Sequence, residues 1–357
     1  MGKTLGLLKN KGMERYVDLG VLLFLLLFPL IFSPFRTELM GKFIVFIIFA
    51  LSLDLLWGYT GLMSMGHAVL FGLGGYTLAI SYSMEKAGGV PDFMARFGIT
   101  EIPALFLPLT NTGTAFLLGL LLPGLLAGLI GYFIFSSKVS GVFFSLITLA
   151  LAQIFEVFIA NQQRYTNGFN GIGSLPRKIL FDRTLSLNQV YYGVLIIAVL
   201  VYFLCLWLVS GRFGKVLQSI RENESRLKFL GYKPSSYKIA IYVISGMLAG
   251  LAGMLYLPMN AFISPGDTGL TFSTAVLVWV AVGGRGNLTG AIVGTLVINW
   301  LQVLLSEAIS DYWLLVLGII VLVIVYFVPP GIIGKLKEWQ YNTRIAKTAF
   351  RQKEGGN

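Results

Sequence analysis

The chain has 357 residues, 56% of them hydrophobic and 12% charged, and its mean hydropathy is +0.79. Soluble domains carry about 25% charged residues, so lipid is the solvent that suits most of this chain, and an all-α, polytopic transmembrane helical bundle is the expected class. One Cys (Cys205) and one His (His67) exclude a disulfide framework and a Cys/His metal cluster, and the net charge of +11 lies in loops beside apolar runs, where topology accounts for it without nucleic acid.

The first 32 residues have the basic start and apolar run of a signal peptide. No small-residue cleavage site follows at SPFRTEL, so a retained first span is expected. A helix needs about 20 apolar residues to cross a bilayer. Ten candidates follow in chain order, at 17–32, 41–57, 66–83, 114–136, 141–160, 190–209, 237–258, 271–282, 290–305 and 312–328. The third is rich in glycine and the eighth is short, which fits partial or re-entrant helices buried by their neighbours. This divides the chain into a cytoplasmic segment 1–16, a transmembrane domain 17–330 interrupted by a cytoplasmic coupling loop at 210–238, and a basic cytoplasmic tail 331–357. With the loop inside, 19 of the 27 Lys and Arg fall on the cytoplasmic side and 8 on the outer side, the bias expected of ten spans with both termini inside.

Small residues recur at helix-packing spacing: Gly124 and Gly128, Gly246 and Gly250, Gly290 and Gly294. Two turns, WGYTGLMSMG (57–66) and AVGGRGNLTG (281–290), carry similar glycine spacing and hint at an internal repeat.

Polar groups inside spans are costly and tend to face a pathway or a partner helix. Thr295, Asn299, Gln302 and Ser306 share one helix face, as do Ser145, Thr148 and Glu156; Asp54 and Trp57 form a third surface, and His67 stands at the start of the third segment. Asp54, Trp57, His67, Glu156, Asn299 and Gln302 are the candidate pathway residues. The alternative is interhelical hydrogen bonding, worth about 0.6–2 kcal/mol per residue.

Catalytic and nucleotide chemistry is not legible. Gly2-Lys3-Thr4, Gly41-Lys42, Gly214-Lys215 and Gly334-Lys335 do not complete a P-loop, GGRGNLTG lacks the dinucleotide spacing, and no nucleophile–base or metal set appears. The chain is therefore expected to be no enzyme and to bind no cofactor or metal of its own; any ATP is used by a separate polypeptide. Between Arg212 and Tyr237 lies a charged amphipathic cassette, read as one short interfacial helix. Val216, Leu217, Ile220, Leu227 and Leu230 form its apolar face, Lys215, Arg221, Glu222, Glu224, Arg226 and Lys228 its charged one, and Gly231 and Pro234 end it. Its mixture of acids and bases fits a protein groove better than an anionic membrane surface.

Three stretches, LDLLWGYTGLMSMGHAVLFGLGGYT (53–77), GRFGKVLQSIRENESRLKFLGYKPSSYKIAIYVISGMLAGLAGMLY (211–256) and WVAVGGRGNLTGAIVGTLVIN (279–299), resemble the permeases of the branched-chain amino acid and urea class of ABC importers. Within that class LDLLWGYTGL and VPDFMARFGITEIP (90–103) look most like second permeases of its urea branch. The resemblance implies a multi-pass protein of the bacterial cytoplasmic membrane, working beside a second related permease, two ATPase subunits and an extracytoplasmic substrate-binding protein. It also implies that the segment holding Arg212, Lys215, Arg221, Glu222, Glu224, Arg226 and Gly231 couples to the ATPase. Urea is the solute so expected, with branched-chain or other amino acids as the alternative and a passive urea channel as a distant one.

Overall fold

The computed structural model describes residues 11–137, 141–179, 184–309, 312–328 and 330–339. Long helices occupy the ten segments expected from hydropathy. They are α1 (Lys11–Ile31), α2 (Pro34–Thr60), α3 (His67–Ala87), α4 (Thr112–Ser136), α5 (Gly141–Asn161), α6 (Leu187–Ser210), α8 (Pro234–Asn260), α9 (Leu270–Gly283), α10 (Leu288–Ala308) and α11 (Trp313–Phe327), with α7 (Arg212–Phe229) in the charged cassette. Six of them, α2, α4, α5, α6, α8 and α10, are long and apolar enough to cross a membrane by length and composition. One feature departs from an all-helical reading: β1 (Ile172–Gly173) pairs antiparallel with β2 (Phe262–Ile263).

Helix α2 is the axis of the bundle. Pro34 opens it at a position whose N–H has no intrahelical partner, and Gly61 closes it in the left-handed conformation (φ +80°) with its N–H on Trp57 O. It is apolar on all sides, as a helix enclosed by others must be. In its most hydrophobic stretch 83% of the residues are buried, against 28% for α5 and α6, which turn broad apolar faces outward. The core residues Ile44, Ile48, Phe49 and Leu53 of α2 lie in one continuous apolar cluster with Leu248, Ala252 and Leu255 of α8 and Val276 and Val280 of α9.

Close backbone approach holds these helices together. A Cβ on Gly74 of α3 would collide with the backbone of Gly250 in α8, and one on Gly250 would collide with Gly119 and Pro123 of α4. Gly124 and Gly128 face Met247 and Val243 of α8, while Gly290 and Gly294 of α10 interlock with the backbone of α9 at Gly283. The three glycine pairs singled out in the sequence therefore all sit at helix crossings.

Charged groups separate toward two ends. At one end Arg177 pairs with Glu38 and Lys178 with Glu85. At the other lie α7, the α9–α10 turn, the beginning of α1 and the helical stretch 331–339; there Lys337 pairs with Glu14 and Gly331 packs on Gly284. Ile333 is buried in this contact, so the first residues of the expected tail belong to the folded body. The rest of that tail, the segment 1–10, Lys138 and Arg183 lie outside the described residues.

Replacing Gly250 with Leu is expected to lower thermal stability in detergent by about 1–3 kcal/mol or to abolish folding, because the extra side chain meets backbone. Gly20→Leu, where no atom lies near a Cβ, should leave the melting temperature unchanged. Melting followed by size-exclusion chromatography separates the two.

Candidate functional site

The charged cassette is not one helix. Gly211, extended at φ −82° and ψ −173°, separates α6 from α7, and Gly214 packs so tightly on Val209 that any side chain there would meet backbone. Asn223 then leaves helical geometry (φ −160°, ψ 94°), so Arg212–Phe229 is two short helices meeting at an elbow. The Asn223 Oδ1 accepts the Arg226 N–H at 2.9 Å and caps the second piece, the use to which Asn is suited at a helix start. Gly231 closes that piece at φ +83°, with its N–H on Lys228 O and the Tyr232 N–H on Leu227 O. Pro234 does not stop this helix; it opens α8 at its first turn.

Leu217, Ile220 and Leu227 are buried, as the helical spacing predicts. Leu230, assigned to the same apolar face, is instead exposed beside Phe229, which is 92% exposed, and Tyr232. The elbow at Asn223 rotates the second piece out of register with the first, so a face continuous in the sequence is split in space. The result is an apolar knob of Phe229, Leu230 and Tyr232, ringed by the exposed cations Arg226, Lys228 and Lys233. Neither Phe229 nor Tyr232 was among the expected contacts. The available signal was the run LKFLGY, which puts Phe229 off the apolar stripe.

Of the expected coupling residues, Arg212, Lys215, Glu222 and Arg226 are exposed. Glu224 is not a free docking charge: it accepts from Lys238 of α8 at 2.6 Å and pairs with Lys228 at 2.9 Å. Burial works to raise the Glu224 carboxyl, but the hydrogen bonds and charges of Lys238 and Lys228 outweigh it and hold the group below its ordinary range. Arg221 also turns inward. Its guanidinium donates to Gly58 O near the end of α2.

The candidate pathway residues do not converge. Asp54 is fully buried one turn before Gly58, and its Oδ1 accepts the Gly286 N–H at 2.6 Å, tying α2 to the α9–α10 turn. Beside it the Arg285 guanidinium lies 5.9 Å from the centre of the Trp57 ring. His67, also fully buried, reaches Ser52 Oγ at 2.9 Å and Ser245 Oγ at 3.4 Å through Nε2 and stacks on Phe49, so it joins α2, α3 and α8. Asn299 donates to Thr295 O at 2.8 Å and Thr295 to Ala291 O at 2.7 Å, which turns the polar stripe of α10 onto its own backbone. Gln302, half-buried, has no hydrogen-bond partner among the described residues. Ser145 donates to Met63 O at 2.7 Å and Thr148 accepts from Met65 N at 3.1 Å, clamping the turn before α3.

Glu156 stands apart. Its carboxylate occupies the space that a Cβ on Gly269 would need, at the start of α9, whose first turn has no side-chain cap. Thr268, next to it, is buried against Gly72 of α3. The half-buried Asp267 accepts there from the N–H and Oγ of Ser264 at 2.8 and 2.9 Å. Helix α9 has 14 residues, so at about 1.5 Å per residue it holds Glu156 roughly 20 Å from the Asp54 end.

Residues 35–325 match the family model described as branched-chain amino acid transport system / permease component. The chain belongs to this permease family. It is 22% identical over 344 residues to the high-affinity branched-chain amino acid transport permease LivM of Salmonella typhimurium, covering 90% of this chain and 75% of that protein. The probable LivM of Methanocaldococcus jannaschii is 27% identical over 322 residues, 81% of this chain and 90% of the relative. A ribose import permease, RbsC of Haemophilus influenzae, is 21% identical over 271 residues, 74% and 79% of the two chains. No solved structure matches the chain. The names of these relatives refer to branched-chain amino acids and ribose; urea, the first expectation from the sequence, is not among them, and the amino-acid alternative fits better.

The depressed Glu224 carboxyl makes a pH test. A carboxylate held below its unfolded value adds stability that is full above that value, near 4.3, and is lost as pH falls through the folded one. The melting temperature of the wild type should therefore exceed that of Glu224→Gln at neutral pH, and the difference should shrink as the pH falls below about 4.3.

Proposed function

We propose that this chain is a transmembrane permease subunit of an ATP-driven importer in a bacterial inner membrane, with both termini and α7 in the cytoplasm. It pairs with a second, related permease, rests on two separate ATPase subunits and receives its solute from an extracytoplasmic binding protein. The observation that carries this reading is the knob at Phe229. An aromatic side chain 92% exposed at a charged turn, in a family of transport permeases, fits a pocket on a partner, and clustered aromatic anchors of this kind dominate protein interfaces. The surrounding cations suit an acidic rim on that partner.

The proposed solute is a branched-chain or other amino acid. An amino acid carries an ammonium and a carboxylate. Glu156 and Asp267 suit the first, and the uncapped N–H groups at the start of α9 suit the second, since helix starts carry partial positive charge. The solute path then passes Glu156. Asp54, His67 and Asn299, each bonded within the bundle, hold its walls.

Two measurements test these statements. Phe229→Asp should abolish co-purification of the ATPase subunits while the permease still inserts, a loss of about 2 kcal/mol or more; retained co-purification removes α7 as the contact. Vesicles holding the complete importer and its binding protein should take up labelled leucine when ATP is supplied, and Glu156→Gln should slow that uptake about tenfold or more. Uptake of urea without leucine would overturn the solute, and uptake independent of ATP would overturn the importer.

A further inference from the structure

The two glycine-bearing turns singled out in the sequence meet in space. Gly58, in the last turn of α2, lies so close to Gly286 of the α9–α10 turn that a Cβ on it would strike the Gly286 backbone and the Asp54 carboxylate. Gly286 itself takes φ +77°, a conformation that disfavours any side chain. Asp54 and Arg221 both bond to this contact. Asp54 Oδ1 accepts the Gly286 N–H, and the Arg221 guanidinium, reaching past Gly61, donates to Gly58 O.

Half of the Asp54 carboxylate is unused. Its Oδ2 is buried and has no hydrogen-bond partner among the described residues. An unpaired carboxylate oxygen in such a place is costly unless a donor reaches it in another state of the molecule. Arg221 is a cation at this contact: its Nη1 lies where a Cβ on Gly286 would come. The Asp54 carboxylate reaches up to Gly58, its Oδ1 standing where a Cβ on Gly58 would lie, so the two acceptors are neighbours on one face of α2.

We propose that Arg221 and Asp54 are positioning residues forming a two-seat latch. The Arg221 guanidinium rests on Gly58 O in the conformation described, and moves across to the neighbouring Asp54 Oδ2 when the ATPases shift α7. Because Asp54 also holds Gly286, the move is carried into the α9–α10 turn and along α9 to its far end, where Glu156 stands. The rest of α7 follows Arg221 through the buried Leu217 and Ile220. This inference rests on α7 being the segment the ATPases move.

The test is a double-mutant cycle in the assembled importer, reading solute imported per ATP hydrolysed. Asp54→Asn keeps an oxygen for Gly286 N–H but replaces the charged Oδ2; Arg221→Gln removes the moving guanidinium. Each single variant should lower the ratio about tenfold, and the double variant should be no worse than the poorer single, because both remove one interaction. Independent, multiplying effects, or a normal ratio in either single variant, would overturn the latch. Hydrogen exchange in residues 284–287 supplies a readout that does not depend on Asp54→Asn folding. ATP added to the wild-type complex should change protection there, and Arg221→Gln should remove the change; a change that survives Arg221→Gln overturns the proposal. If the wild-type chain does not co-purify with ATPases at all, the parent reading fails instead.

Discussion

In hydrocarbon an apolar side chain gains little by leaving lipid for the surface of another helix, so a bundle such as this one depends on how closely its backbones approach. Helix α8 lies against α3 through Gly74 and Gly250, and against α4 through Gly119, Pro123 and Gly250. Helix α2 in turn is enclosed by α8, α6, α10 and α9. The same device joins α9 to α10 through Gly283, Gly290 and Gly294, which packs the short α9 firmly along its C-terminal half. Side chains there would push the helices apart and expose the polar groups of α2 to lipid, where each unpaired one costs several kcal/mol.

That packing decides where force can travel. At the end carrying α7, connections between elements run through backbone groups: Arg221 to Gly58 O, Asp54 to Gly286 N–H, Gly284 to Gly331. Glu224, bound to both Lys228 and Lys238, ties the second piece of α7 to the start of α8. The elbow at Asn223 lets the first piece stay docked on the bundle while the knob at Phe229 projects.

Permeases named for branched-chain amino acids and for ribose are both similar to this chain over most of its length. A scaffold shared by such different solutes places little of its specificity in the packing residues, and fold alone does not name a solute. The groups free to meet one are few. Glu156 at the start of α9 is one of them, whereas Asp267 there is held by Ser264 and most of the other polar residues inside the spans are bonded to neighbouring or own-helix backbone.

Hydropathy in the chain located the six helices long and apolar enough to cross a membrane and the charged cassette between α6 and α8, because the need to match lipid over about 20 residues is a local property of the sequence. Glycine spacing located the helix crossings for a similar reason: two small residues four apart mark one face of one helix. Long-range contacts left no such mark. Asp54 and Glu156 read alike as carboxylates within spans, yet one is held by the amide of Gly286, 232 residues away, and the other stands beside an uncapped helix start. The stripe of Thr295 and Asn299 suggested a wet face, but both side chains close on their own helix. Periodicity placed Leu230 with Leu227, and a single non-helical residue, Asn223, undid the register between the first piece of α7 and its tip. The sequence by itself determined which segments are helical, which of them suit lipid, and which faces can approach closely. The tertiary structure alone decided which polar groups are paired and which remain free, because a hydrogen-bond partner is chosen by proximity after folding and not by spacing along the chain.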